Sequence, residues 1–205
     1  MISRLLPLVG VLLFVGIVFG WRPWLQRRRH GTWGVVLFRS KRPGDNLRDG
    51  MAVLLFALLV GQAVIWAGWP ELLPRFVAIP GSLRAWRTTG AALLFGGIGF
   101  LIAAQLQLGA SWRIGIEESA SPGLVTNGLY RFCRNPIFLA LLVIVAGYAL
   151  LLPTRLSMIL LLGTYIGVRQ QASAEEAYLL RAYGESYREY ARRVGRFVPG
   201  LGRLR

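Results

Sequence analysis

The run from Pro136 to Val168, PIFLALLVIVAGYALLLPTRLSMILLLGTYIGV, decides the fold. It holds 33 almost uniformly apolar residues, interrupted only around Pro153, Thr154 and Arg155. A helix crosses the hydrocarbon core of a bilayer in roughly 20 residues, so this tract is too long for one helix, and its proline-centred break supplies a turn. The spacing predicts a tight helical hairpin. Its second arm is short. It is therefore expected to run on through Arg169 to Gln171 and emerge into water as an amphipathic segment carrying Glu175 and Glu176.

Three further apolar runs precede it. Leu5 to Trp21, Met51 to Trp69 and Thr88 to Leu108 are uncharged over 17, 19 and 21 residues and read as membrane helices. The first resembles a secretory signal because Arg4 precedes it. It lacks a small residue three before a cleavage point near Gly20, and Arg27, Arg28 and Arg29 follow at once, so it is read as a mature helix. The expected fold is all-α and polytopic, with about five spans including the hairpin, followed by a cytosolic amphipathic helix. Residues 1–109 are expected to form the N-terminal helices, and 110–205 a second part with a loop, the hairpin and the helix that follows it.

Composition agrees. Of 205 residues, 55% are hydrophobic and only 16% charged, a balance suited to a bilayer. The net charge of +15 does not point to nucleic acid, because the basic residues lie between apolar spans rather than on a soluble reading surface. Nineteen of the 24 Lys and Arg residues fall in Arg22–Gly50, Gly109–Asn135 and Arg169–Arg205. That bias puts these segments in the cytoplasm and the N-terminus outside, in a membrane read as a bacterial inner membrane. Cys133 and His30 are the only residues of their kinds. A disulfide, a Cys/His zinc cluster and a histidine triad are thereby excluded, and no metal is expected.

Several intramembrane features carry ordinary readings. Gly90, Gly96, Gly97 and Gly99 suit close helix packing, and Trp21, Trp24, Trp66, Trp69, Trp86 and Trp112 suit interfacial anchoring. Gln62, Gln105, Gln107 and Tyr148 either line a cavity or bond between helices.

Two stretches carry chemistry. The first is Gly123 to Ala140, GLVTNGLYRFCRNPIFLA, in which Pro136 suits the first turn of the hairpin helix and Asn135 its N-cap. The second is Glu175 to Pro199, EEAYLLRAYGESYREYARRVGRFVP. As a helix it aligns Glu176, Leu179, Tyr183, Tyr187, Tyr190 and Val194 on one stripe. A lipid-lying helix would favour aliphatic residues there, whereas tyrosines beside a carboxylate suit a polar ligand with a flat ring.

These two stretches, in this order, resemble the isoprenylcysteine carboxyl methyltransferase and phospholipid methyltransferase group of integral membrane methyltransferases. The resemblance covers about Leu108 to Pro199. It implies S-adenosylmethionine as cofactor, held on the cytosolic side between a His-Pro loop and a Glu-Glu helix, and a lipophilic small-molecule or lipidated acceptor entering from the bilayer. Carried over by position, the cofactor-binding candidates are Tyr130, Arg134, Asn135, Pro136, Phe138 and Ala140 from the first motif, and Glu175, Glu176, Tyr187 and Arg193 from the second. Arg134, Asn135 and Glu176 are the catalytic candidates.

The group's His-Pro-x-Tyr-x-Gly is here Asn135-Pro136-Ile137-Phe138-Leu139-Ala140. An imidazole and a phenol are absent. Asn still gives and accepts hydrogen bonds and Phe still stacks on a purine, so cofactor binding outlasts acid–base chemistry. Methyl transfer from a sulfonium chiefly needs placement in a dry site, which leaves catalysis open. Two other readings stand beside this one. One is a membrane reductase of the sterol reductase type, which binds NADPH and shares a related loop whose tyrosine this chain lacks. The other is a non-catalytic membrane protein that keeps the pocket's shape.

Overall fold

The computed structural model describes residues 2–38, 43–73, 83–114 and 123–204. Of the basic residues that orient the chain, Arg39, Lys41, Arg42, Arg75 and Arg205 lie outside them. Every regular element among the described residues is helical. Helices α1 (Ile2–Val15) and α2 (Arg22–His30) are joined by a π-helical segment, Gly16–Trp21, into one rod. After it come α3 (Pro43–Gly68), α4 (Leu83–Leu108), α5 (Pro136–Leu151) and α6 (Arg155–Arg193).

The rod, α3 and α4 are each long and apolar enough to cross a bilayer, and α5 is a shorter apolar helix. The protein is an integral membrane protein of all-α, polytopic architecture. Leu12, Leu54, Ile159 and Leu162 point outward, an arrangement that lipid accounts for and water would penalise.

The predicted hairpin is present as α5 and the apolar start of α6. Thr154 turns the chain, its hydroxyl accepting from the Ser157 amide at 3.1 Å. Gln62 of α3 donates to both the Thr154 and Ser157 hydroxyls, and the Tyr148 hydroxyl donates to the Leu59 carbonyl at 3.1 Å. The intramembrane Gln62 and Tyr148 are thus helix-to-helix bonds that tie the turn to α3. Below it, Val11, Leu59, Ala63, Trp66, Val145 and Leu160 pack α1, α3, α5 and α6 together.

Helices α4 and α5 approach backbone to backbone. A Cβ on Gly147 would strike the Leu94 amide nitrogen, and one on Gly90 would sit 3.0 Å from the Gly147 carbonyl oxygen. Gly97 would press on Ile144 at 2.8 Å. Gly96 and Gly99 meet nothing within 4 Å, so only half of the predicted glycine packing is realised.

The tryptophans divide similarly. Trp21, Trp24 and Trp69 are exposed at span ends, but Trp66 and Trp112 are buried. Trp112 lies under the Arg22 guanidinium, 4.4 Å from ring centroid to charge. Arg22, itself buried, donates to the Gln105 carbonyl at 3.2 Å and the Gly109 carbonyl at 3.0 Å, satisfying the C-terminal end of α4.

Helix α6 is 39 residues long. It breaks once, at Gly184, with φ 54° and ψ −124°, a backbone conformation that glycine alone adopts without strain. The stretch 155–183 covers roughly 43 Å at 1.5 Å per residue, more than the ~30 Å hydrocarbon core, so α6 leaves the membrane before the break.

Candidate functional site

The first motif folds as a loop draped over the end of α4. Gly128 has φ 58°, and a Cβ there would strike the Gln107 side chain, whose Oε1 accepts from the Leu129 amide at 2.6 Å. Gly128–Arg131 form a short 3-10 turn. Tyr130 is buried, its hydroxyl donating to the Ala104 carbonyl at 3.4 Å, while the Tyr190 hydroxyl donates to the Tyr130 carbonyl at 2.6 Å.

Cys133 then pairs in parallel with Gly195, just beyond α6. The Arg134 amide donates to the Gly195 carbonyl at 2.9 Å and the Asn135 amide to the Arg196 carbonyl at 3.1 Å. Gly195 has no room for a side chain, because a Cβ would strike the Val198 carbonyl oxygen. Through this short ladder the two motifs become one unit.

At its centre is Glu176. Its Oε1 accepts from Arg134 Nε at 3.2 Å, Arg134 Nη2 at 3.0 Å, Asn135 Nδ2 at 3.1 Å and Arg196 Nε at 3.2 Å. Its Oε2 accepts from Arg196 Nη2 at 2.7 Å. Arg134 has more work still: Nη1 donates to the Ala191 carbonyl at 2.8 Å and the Val194 carbonyl at 2.6 Å, and Nη2 to the Gly202 carbonyl at 3.0 Å. Its five N–H groups are all engaged, which caps the end of α6 and holds the following tail. Two guanidinium groups on one carboxylate leave the cluster with a surplus positive charge.

Asn135 occupies the predicted N-cap position, with Pro136 at the first position of α5, but its side chain makes no capping bond. Nδ2 donates instead to Glu176 Oε1 and, at 3.2 Å, to the Arg196 carbonyl. The N-cap expectation is corrected in that respect: Glu176 and the chain beyond α6 outcompete the helix end. Asn135 Oδ1 keeps its acceptor capacity, with no protein donor among the described residues.

The other candidates are distributed around this core. Glu175, partly open at the surface but crowded by protein, accepts from Gln171 Nε2 at 3.3 Å. Burial pushes its carboxyl up to about 7; the Glu176 charge adds to the rise, while the Gln171 hydrogen bond and the Arg113 charge oppose it. Phe138 is half-buried. Tyr187 is buried with Tyr190, Ala191 and Val194 in a small core that also holds Leu124, Leu179, Tyr183 and Leu204. The tyrosine stripe is therefore largely packed against protein, and burial holds the Tyr187 and Tyr190 phenols neutral. Ala140 faces α4 beside Leu94, Ile98 and Leu101, one turn down α5 from the cluster. Pro136 is buried at the head of α5.

Arg193 is exposed and among the described residues donates only to the Glu189 carbonyl, at 3.4 Å, apart from the cluster. Arg196, which was not among the candidates, takes part in the cluster instead, bonding Glu176 through Nε and Nη2. The available signal was Arg196 itself, inside the Arg196-Phe197-Val198-Pro199 end of the second motif. Cys133 is buried, and burial pushes its thiol up to about 11, as suits a packing residue rather than a nucleophile.

Comparison with known proteins agrees with the motifs. The sequence model of the phospholipid methyltransferase family matches residues 86–186. A protein-S-isoprenylcysteine O-methyltransferase of Schizosaccharomyces pombe is 29% identical over 47% of this chain and 42% of its own length. Protein-S-isoprenylcysteine O-methyltransferase A of Arabidopsis thaliana is 29% identical over 63% of this chain and 68% of its own length. The corresponding Dictyostelium discoideum protein is 25% identical over 71% of this chain and 60% of its own. The chain thus spans less than half the length of the Schizosaccharomyces pombe relative. A solved structure of a eukaryotic intramembrane isoprenylcysteine carboxyl methyltransferase has the same fold, with a TM-score of 0.56 and 16% identity over 90% of this chain and 62% of that one. The resemblance carried by the two motifs is borne out.

Proposed function

We propose that this chain, similar to the isoprenylcysteine carboxyl methyltransferase and phospholipid methyltransferase group, is a membrane methyltransferase that takes its methyl from S-adenosylmethionine. Its acceptor is a lipophilic or membrane-partitioned carboxylate, amine or thiol. The observation that carries this reading is the convergence of Arg134 and Asn135 from one motif, and Arg196 from the other, on the Glu176 carboxylate. Residues 110–205 carry the chemistry, and 1–109 shape the membrane side. The membrane is a bacterial inner membrane, with the site and C-terminus cytoplasmic.

The residues present fit this cofactor. Among the described residues Asn135 Oδ1 lacks a protein donor, as an acceptor for a hydroxyl or an ammonium would. Glu175 is short of compensating positive charge, as a carboxyl that meets an ammonium or sulfonium would be. The half-buried Phe138 offers a face for a purine.

S-adenosylmethionine, when bound, supplies an electrophilic methyl on its sulfonium. The chain's own residues bind, orient and exclude water. With its carboxylate occupied by protein donors, Glu176 acts as a positioning residue, fixing Asn135 and the chain beyond α6 relative to the head of α5. Arg134 does the same, because it has no N–H left for a ligand. Asn135 presents an acceptor and no proton-relay group, so an acceptor substrate that is already nucleophilic at neutral pH suits this site best.

Native membranes with and without the protein, incubated with methyl-labelled S-adenosylmethionine, test the proposal. Label appearing in a lipid or small-molecule extract only when the protein is present supports it. Equal labelling of both preparations, across acceptors of all three classes, contradicts it.

A further inference from the structure

A groove of about 690 Å³ lies between α3 and α6, with Leu47 and Arg48 on one wall and Arg169, Gln170 and Ser173 on the other. None of its lining residues bonds Glu176 directly, and its volume is within the ~300–1,000 Å³ usual for small-ligand sites. Both walls lie at the same depth. The apolar run of α3 begins at Met51, one turn after Arg48, and that of α6 ends at Val168, just before Arg169. Deeper down, α3 and α6 meet where Leu55 packs on Gly163, which would have 2.9 Å between an added Cβ and the leucine Cδ2. The groove therefore opens above a closed helix contact, at the level of lipid headgroups.

Its charge is positive and only partly compensated. Arg48 pairs with Asp45 at 2.5 Å and donates to Gln171 Oε1 at 3.3 Å. The one polar partner of Arg169 among the described residues is the hydroxyl of Tyr165 on its own helix, at 3.3 Å. A guanidinium at headgroup depth with no carboxylate among the described residues fits a phosphate, which it can hold through two parallel N–H donors. The exposed Leu47 beside it offers an apolar contact for the start of an acyl chain.

We propose that this groove binds the phosphate headgroup of an anionic phospholipid from the adjacent leaflet, with Arg169 and Arg48 as its donors. The proposal rests on the membrane placement of α3 and α6 and is independent of methyl transfer. A lipid seated there touches Ser173, whose hydroxyl accepts from Arg196 Nη1 at 3.3 Å, so occupancy braces the segment that closes on Glu176.

Native mass spectrometry and melting curves in phosphatidylcholine micelles, titrated with phosphatidylglycerol, test this. The wild type is expected to retain phosphatidylglycerol in preference to phosphatidylcholine and to melt later with it. Arg169→Gln should cut that preference about tenfold, the scale of one charge-assisted contact, and the Arg48→Gln/Arg169→Gln pair should abolish it. Arg188→Gln, which removes an exposed arginine elsewhere, should leave it intact. A preference that survives in Arg169→Gln, or that falls equally in Arg188→Gln, overturns the site in favour of general charge attraction. Equal stabilisation by inorganic phosphate overturns the lipid as the occupant.

Discussion

Asn135 Nδ2 lies 3.1 Å from Glu176 Oε1, a hydrogen bond between the head of a membrane helix and a residue 41 positions later on another. It links the head of α5 in the first motif to the residue of the second that lies at the centre of the cluster. Asn135 thereby serves the tertiary structure with its amide hydrogens, while its oxygen has no donor among the described residues.

Glu176 and Glu185 are predicted to behave differently, though both are acids of α6. Glu176 is buried under two guanidinium groups, whereas Glu185 forms exposed pairs with Arg188 and Arg192. Glu176→Gln leaves buried charges uncompensated and should lower stability by about 3–5 kcal/mol, with S-adenosylmethionine affinity falling about tenfold or more in the fraction that stays folded. Glu185→Gln should change either quantity little. Melting and titration of the two variants in parallel decide the matter, and equal effects would count against the cluster as the organising centre.

At Asn135, substitution by His should retain most of the cofactor affinity, since imidazole offers one donor and one acceptor at similar reach. Asn135→Leu removes both the bond to Glu176 and the open acceptor, and should weaken binding by roughly 5- to 150-fold, corresponding to about 1–3 kcal/mol. Calorimetric titration beside melting temperatures separates the roles. A Leu variant that melts earlier but binds normally would make Asn135 purely structural.

The apolar hairpin, the continuity of α6 into water and the meeting of the two motifs were all legible in the sequence, because they depend on run length and on local turn residues such as Pro153-Thr154. Arg134 was legible as a site residue but not as a saturated one, since its five donors find acceptors only after the end of α6 folds back on it. Placing Arg196 on Glu176 required knowing that the helix stops at Arg193 and that Gly195 lets the chain turn in. The break at Gly184 was masked because Tyr183, Tyr187 and Tyr190 share one core on either side of it. Trp112 read as an interfacial anchor because sequence does not reveal that Arg22, far away in the chain, will cover it.

Glu175 gives the chain a pH dependence. Its folded-state carboxyl is raised from the ordinary 4.5 to about 7, so the folded protein holds this proton more firmly than the unfolded chain. The resulting contribution to stability is complete below about 4.5 and is lost as pH rises through about 7. Glu175→Gln should flatten that decline between pH 5 and 8. Affinity for the cationic cofactor should move the other way in the wild type, rising across the same window as the carboxylate forms. Titrations at several pH values that show no difference between wild type and variant would remove Glu175 from the site.

The distribution of basic residues predicts a topology that can be tested. In a Cys133→Ser background, single cysteines at Gly44 and Gly200 should be shielded from an impermeant thiol reagent in intact cells, and one at Ser82 should react. Labelling at Gly200 but not Ser82 would place the site on the face away from cytosolic cofactor.

The most direct test of the central claim is equilibrium titration of the purified wild-type protein in lipid–detergent micelles with S-adenosylmethionine, repeated with NADPH. The account predicts saturable one-to-one binding of S-adenosylmethionine that Glu176→Gln weakens about tenfold or more, and no saturable binding of NADPH. Saturable binding of NADPH alone, or of neither ligand by a protein that melts cooperatively, would contradict it.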